Sequence, residues 1–187
     1  MDALSGNPVL ILTGAPGSGK TTVAGLLAAK SQRAVHIESD RFFHFIQAGY
    51  VEPWKPESHE QNTTVMRIVA QAAAAYTDAG YFTIIDGIVL PEWFLQPLRD
   101  SLGAAGHRIA YAVLRAPLAV CVERAEGRAS SQLSNVTVIE RLWHDFADLG
   151  PLEANVIDSG TQDAVTTADV LVERLRGGLL AIGARLG

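Results

Sequence analysis

Gly14-Ala15-Pro16-Gly17-Ser18-Gly19-Lys20-Thr21 decides the fold of this chain. The stretch fills every fixed position of the pattern G-x-x-x-x-G-K-[ST]. It stands between an apolar run, Val9-Leu10-Ile11-Leu12, and a helical pattern from Lys20 to Ser31. Glycine tolerates backbone conformations closed to other residues, so such a loop turns successive N–H groups onto phosphate oxygens. The helix that follows adds its unsatisfied N–H groups and the positive end of its dipole. Lys20 is placed to reach the β- and γ-phosphates, and the Thr21 hydroxyl is placed to ligate Mg²⁺. With Thr22 in the same first helical turn, these residues are the candidate nucleotide-binding loop. A Gly-rich turn that merely joins strand to helix is the alternative, and the full match between a strand and a helix weighs against it.

The same alternation of short apolar runs and helical patterns continues along the chain. Further strands are expected over Ala34–Ile37, Tyr81–Ile85, Ile109–Leu114 and Asn155–Ile157. Helices are expected over 58–79, 117–126, 137–148 and 163–180, with a Ser58/Gln61 capping box and Gly80 as a helix stop. Near-continuous apolar strands joined by crossover helices predict an α/β fold whose parallel sheet is buried on both faces. At 187 residues, 48% hydrophobic and 19% charged, the chain is too apolar to be disordered and reads as one domain over 1–187. Its 15 basic against 20 acidic residues give a net charge of −5 without any Lys/Arg cluster. That balance speaks against nucleic-acid or anionic-lipid partners. Cys121 is the only cysteine, so neither an internal disulfide nor a thiolate zinc site can form. The five histidines show no ligand spacing, and most of them read as structural or solvent-facing. The longest apolar stretch, Ile109–Val122, is broken by Arg115 and Pro117, and no export signal precedes the first strand. A cytoplasmic protein is expected.

Carboxylates follow two of the strands. Glu38-Ser39-Asp40 ends the second and Asp86-Gly87 the third, at the edge of an open α/β sheet where ligands bind. Glu38 and Asp40 share a side if the strand persists that far. Asp40 also suits the N-cap of a helix starting at Arg41. Asp86 closes the apolar run Phe82–Ile85 in the manner of a Walker B carboxylate, suited to hold Mg²⁺ through water, although Asp-Gly is also a common turn.

In motif order, over nearly its whole length, the chain resembles the small P-loop kinases of the adenylate, shikimate and gluconate kinase type, and chloramphenicol phosphotransferase. The resemblance implies a three-layer P-loop NTPase fold, with a five-stranded parallel sheet in the order 2-3-1-4-5. It also implies a short lid over 124–136, an acceptor-site segment over 41–80, and ATP with Mg²⁺. Asp40 then becomes the candidate general base on an acceptor hydroxyl, with Glu38 behind it and Asp86 at the metal or substrate. Arg124 and Arg128 share one helix face and match the lid entry, Arg124 toward adenine or phosphate and Arg128 toward the transferring phosphoryl group. Arg141, on the next helix, points back to the substrate. Each arginine has a plain alternative as a solvated helix charge.

The chain departs from adenylate kinase after Pro91, where Glu92-Trp93 stands in place of a phosphate-binding arginine. The acceptor segment holds Phe42, Phe43, Phe45, Tyr50 and Trp54 but only two arginines, Arg41 and Arg67. The phenylalanines at 42–45 lean toward the core, and Trp54 and Trp93, each in a loop near a strand end, toward function. This composition favours a small, uncharged or partly apolar hydroxyl compound as acceptor. A nucleotide-dependent switch or slow ATPase would lack that second pocket, and a nucleic-acid 5′-hydroxyl kinase would need a basic channel.

Overall fold

Val9–Thr13 forms β1, and all five of its residues are buried. It lies in parallel between Phe82–Asp86 (β3) and Ile109–Arg115 (β4). Ala34–Glu38 (β2) extends the sheet beyond β3, and Val156–Asp158 (β5) extends it beyond β4. The order β2-β3-β1-β4-β5 is that of the P-loop NTPase fold, as the resemblance implied. The computed structural model describes residue 6, residues 8–127 and residues 136–183.

The sheet has one strand more than the five expected. Ala181–Ile182 (β6) runs antiparallel to β4, pairing with Ile109 and Ala110 where the short β5 does not reach. Two residues after the Gly177-Gly178 reversal are too few to show a strand pattern. Asn155, expected inside the fifth strand, instead closes a 3₁₀ turn over Gly150–Asn155. Its Nδ2 donates to Tyr111 O at 2.8 Å and Leu180 O at 3.2 Å, joining β4 to the segment that leads into β6.

Side-chain alternation along the strands divides the core into two layers. Leu10, Leu12 and Ile84 meet Val23, Leu27 and Leu171 of Lys20–Ala29 (α1) and Ala164–Arg176 (α7). Ile11, Ile85 and Tyr111 meet Met66, Val69 and Leu98 of His59–Asp78 (α3) and Gln96–Ala104 (α4). Each of these buried aliphatic side chains stabilises the fold by about 1.5–3 kcal/mol relative to exposure. Helix α4 was not expected, because a π-helical turn over Pro91–Leu95 runs into it and interrupts the apolar period. Its Arg99 is fully buried and donates Nε to Gly183 O at 3.0 Å. Asp40–Phe43 (α2), Leu118–Glu126 (α5) and Val136–Asp145 (α6) lie at the ends of the strands. No helix among the described residues is long and apolar enough to cross a membrane.

Helix α3 stops where Gly80 predicts. Gly80, at φ +82°, donates to Thr77 O at 2.9 Å while Tyr81 donates to Tyr76 O at 3.0 Å, a Schellman pair with the two tyrosine rings edge to face. The expected capping box at its start does not form. Pro56–Ser58 is a 3₁₀ turn, so Ser58 is already helical and its hydroxyl donates back to Pro53 O and Lys55 O. Gln61 is then free to bracket Val51, accepting from its N–H at 2.9 Å and donating to its carbonyl at 2.6 Å. These contacts pin the loop at 51–58 against α3. The helix expected over 137–148 ends at Asp145, and that expected over 163–180 ends at Arg176. Asp163 caps α7, accepting from the Thr166 N–H at 2.7 Å.

Arg115, at the end of β4, grips both oxygens of Glu153 at 2.7 and 3.0 Å. That hydrogen bonding, ahead of the Leu149 N–H, lowers the Glu153 pKa to about 2. The pair is near the surface, so water holds its contribution to about 0.2–1 kcal/mol. A carboxylate with a depressed native pKa stabilises the fold above its unfolded value and loses that contribution as pH falls through about 2. Glu153→Gln should therefore lower Tm by about 1–3 °C at pH 7, with the gap closing as the pH approaches 2. Thermal unfolding of both proteins across that range checks this, and a gap that persists at low pH would contradict it.

Candidate active site

The loop at 14–19 leaves β1 and enters α1 with no side chain capping the helix, whose Gly19 N-cap sits at φ +96°. The first amides of α1 are thereby left for an anion. Two glycines are demanded by close approach. A Cβ on Gly14 would lie 2.2 Å from Leu114 O, and one on Gly17, at φ +83°, would lie 2.0 Å from Cys121 O. Both obstacles are backbone and cannot swing away. Gly17→Ala should cost about 2–5 kcal/mol in urea unfolding and abolish nucleotide binding measured by calorimetry. An unshifted midpoint would show that the loop does not need this packing.

Lys20 lies over the loop, its Nζ donating to Gly14 O at 2.9 Å and Ala15 O at 3.1 Å. Thr21 Oγ1 donates to Asp86 Oδ2 at 2.8 Å, although the two are 65 residues apart. Thr22 is exposed one residue further along α1. The register aligns Leu12 of β1 with Asp86 of β3, and Asp86 with Glu38 of β2, so the carboxylates arrive at the same sheet edge as the loop. Asp86 is only 4% exposed. Ser39 N–H donates to Asp86 O at 2.8 Å, and Ser39 Oγ fills the space a side chain at Gly87 would need. This stitch sets Asp40 beside Asp86.

Asp40 begins α2, but its carboxylate makes no capping bond; Ser39 occupies the N-cap position. The capping alternative for Asp40 is thus removed. Its carboxylate is reachable by water yet sunk between protein walls, and this desolvation raises its pKa above the usual carboxylate value. Lys20 opposes the rise, while Asp86 and Glu38 add to it. Glu38 is held by Arg41 at 2.8 Å.

His36 carries no motif in the sequence, yet its Nε2 stands 3.0 Å from Asp86 Oδ2, the oxygen that also receives Thr21. Two positions before Glu38 on β2, it meets Asp86 along the sheet diagonal, a contact that only the strand pairing creates.

Lys20, Thr21, Asp40 and Asp86 line one cleft of about 2040 Å³, and Trp54 and Arg141 line it too. That is more room than one small ligand fills. The pinned loop at 51–58 presents Trp54 46% exposed, with Tyr50 and Phe45 exposed nearby in sequence. Phe43 is buried against Phe94, so the core reading of Phe43 holds; the lean of Phe45 toward the core does not, since it is 74% exposed. Trp93 stacks on Phe94 with centroids 4.2 Å apart and is partly packed into the core. Arg124 lies on the other side of the loop, close to Gly19, and donates to Ser159 O at 3.1 Å. Arg128 and lid positions 128–135 lie outside the described residues.

The Thr21 hydroxyl and Asp86 carboxylate are hard oxygen donors at the mouth of the loop, and they suit Mg²⁺. Among the described residues no cluster of three or more His, Cys, Asp or Glu could hold a metal alone. Mg²⁺ does not need one, because it is commonly bound through one or two carboxylates, waters and substrate phosphates.

A phosphate loop at the end of β1, with a carboxylate at the end of the neighbouring strand, defines a P-loop nucleotide-binding domain. The chain belongs to the AAA domain family, whose profile matches residues 9–149. Solved structures share the fold throughout. A sugar kinase from Janibacter sp. HTCC2649 superposes with a TM-score of 0.68 at 22% identity, covering 91% of this chain and 95% of its own. Shikimate kinase from Acinetobacter baumannii, in complex with shikimate, gives 0.63 at 20% identity, covering 94% and 97%. The Mycobacterium tuberculosis APS kinase, in complex with AMPPNP and APS, gives 0.68 at 17% identity, covering 91% and 98%. Comparison with curated proteins gives no match.

Proposed function

We propose that this chain is an ATP-dependent, Mg²⁺-assisted phosphotransferase that moves the γ-phosphoryl group to a hydroxyl of a small, uncharged or partly apolar molecule. The observation that carries the reading is the shared cleft: the phosphate loop, the Thr21–Asp86 pair and a pKa-raised Asp40 open onto the space lined by the 41–80 segment. The three structural neighbours are named for kinases of a sugar, shikimate and APS, and one binds AMPPNP, which supports this reading. A pure switch has no use for a basic carboxylate facing a second, aromatic-walled space.

Within this proposal the 14–19 backbone, Lys20 and the first turn of α1 with Thr22 hold the nucleotide phosphates, with Arg124 beside the loop. Thr21 and Asp86 would hold Mg²⁺, which when bound neutralises charge on the phosphates. Asp40 accepts or aligns the acceptor proton, its raised pKa making it a better base than a free aspartate. Glu38 adds negative charge behind it. Trp54 and Arg141 contact the acceptor, and Arg128 meets the charge on the transferring group. On the acceptor walls Phe45, Tyr50 and Trp54 present aromatic surface to the cleft, which supports a partly apolar acceptor. We further propose a chain acting in the cytoplasm without nucleic-acid or membrane partners.

The test is ADP release from ATP and Mg²⁺ across a panel of small hydroxyl compounds, neutral and anionic. Turnover that rises at least about 100-fold with a neutral member is expected, that being the usual worth of a positioned base. Turnover indifferent to every acceptor would leave a slow ATPase, and stimulation by anionic acceptors alone would overturn the uncharged class.

A further inference from the structure

We infer that His36 is a positioning residue for Asp86, holding the carboxylate in the orientation that receives Mg²⁺ with the nucleotide; this rests on the phosphotransferase reading only for the identity of the metal site. Asp86 Oδ2 is committed twice, to Thr21 Oγ1 at 2.8 Å and to His36 Nε2 at 3.0 Å. No bond to a described residue takes Oδ1, and Asp86 lines the cleft. One oxygen is thus anchored and the other is left for a ligand.

The two anchors differ in what they can do once the site fills. Thr21 belongs to the same proposed metal site, so its hydroxyl is required elsewhere when the metal enters. His36 stands on β2, outside the phosphate loop, and its side chain is 18% exposed. It donates from Nε2 to a carboxylate, the arrangement that fixes a metal-ligating carboxylate from behind. The strand pairing of His36 with Ile84 sets the ring's position independently of the loop. His36 therefore keeps Asp86 from turning when Thr21 lets go.

Such supporting hydrogen bonds are worth about 10- to 100-fold in metal affinity. The probe is Mg²⁺ itself, titrated into wild type, His36→Phe and His36→Gln in the presence of ADP, with heat of binding as the readout. His36→Phe retains ring volume and strand propensity without the donor, and His36→Gln places an amide donor near Nε2. Expected is a 10- to 100-fold rise in the half-saturating Mg²⁺ concentration for Phe and recovery of most of it by Gln. ADP affinity in EDTA should be unchanged in both. The same shift should appear in the Mg²⁺ dependence of turnover, with the maximal rate at saturating Mg²⁺ nearly retained.

An unchanged Mg²⁺ midpoint in His36→Phe would overturn the inference. So would a loss of ADP affinity in EDTA as large as the loss in Mg²⁺, because that pattern marks damage to the loop. If Phe fails to fold, His36→Leu takes its place: the same rise in the half-saturating Mg²⁺ concentration is expected, and an unchanged midpoint overturns the inference. Wild-type protein whose ADP binding ignores Mg²⁺ would remove the metal site and this inference together. Absent acceptor-stimulated turnover would remove only the kinase reading.

Discussion

Lys20→Ala should leave a folded protein that no longer transfers phosphoryl groups at a useful rate. The Nζ is held over the loop by two backbone carbonyls, Gly14 O and Ala15 O, and on the phosphotransferase proposal the cation stands where β- and γ-phosphates would enter. Preorganised charge of this kind acts in the transition state without reorganisation, and its loss costs about 100- to 1,000-fold or more in kcat. Stability should fall by about 1–3 kcal/mol, since Gly14 and Ala15 are buried and their carbonyls lose a charged donor. The measurement pairs thermal unfolding with acceptor-dependent turnover. A well-folded variant with wild-type turnover would overturn the phosphate-loop chemistry.

Asp40→Asn should separate catalysis from stability. Acceptor-dependent transfer should fall by about 100-fold or more, the usual worth of a positioned base. ATP affinity should stay near wild type, because the phosphates are held by the loop and Lys20. Slow hydrolysis without acceptor should survive. The stability effect runs the opposite way. Burial raises the native pKa of Asp40 above its ordinary 3.8, so the native state loses stability as pH rises from that value through the raised one. At neutral pH the ionised carboxylate is therefore a cost, and the neutral amide removes it. Asp40→Asn should raise Tm at pH 7 and lose that advantage in acid. The acid limb of acceptor-dependent kcat/KM should likewise lie above 3.8 in wild type. A variant silent in rate would shift the base to Asp86, and one with a lower Tm would contradict the desolvation account.

Much of this was written locally in the chain. The loop from Gly14 to Thr21 carries its own conformation in its glycines, and β1, β3 and β4 appear as apolar runs because strands covered on both faces need no polar side. Gly80 ends α3 because a left-handed residue is needed there. Asp40, just past β2, and Asp86, at the end of β3, were visible as the carboxylates at which the apolar runs stop. Other features depend on pairings between distant segments, to which local periodicity is blind. Gln61 suits a capping box by spacing, yet the 3₁₀ turn before it sends it to Val51. Two-residue β6 exists only because the short β5 leaves one end of β4 open. Asp40 reads equally as cap or base until the Ser39–Gly87 stitch turns it into the cleft. His36 has no motif at all. Its role comes from parallel register, which carries a side chain on one strand diagonally to a carboxylate on the next, and register is decided by the whole core rather than by any neighbouring residue.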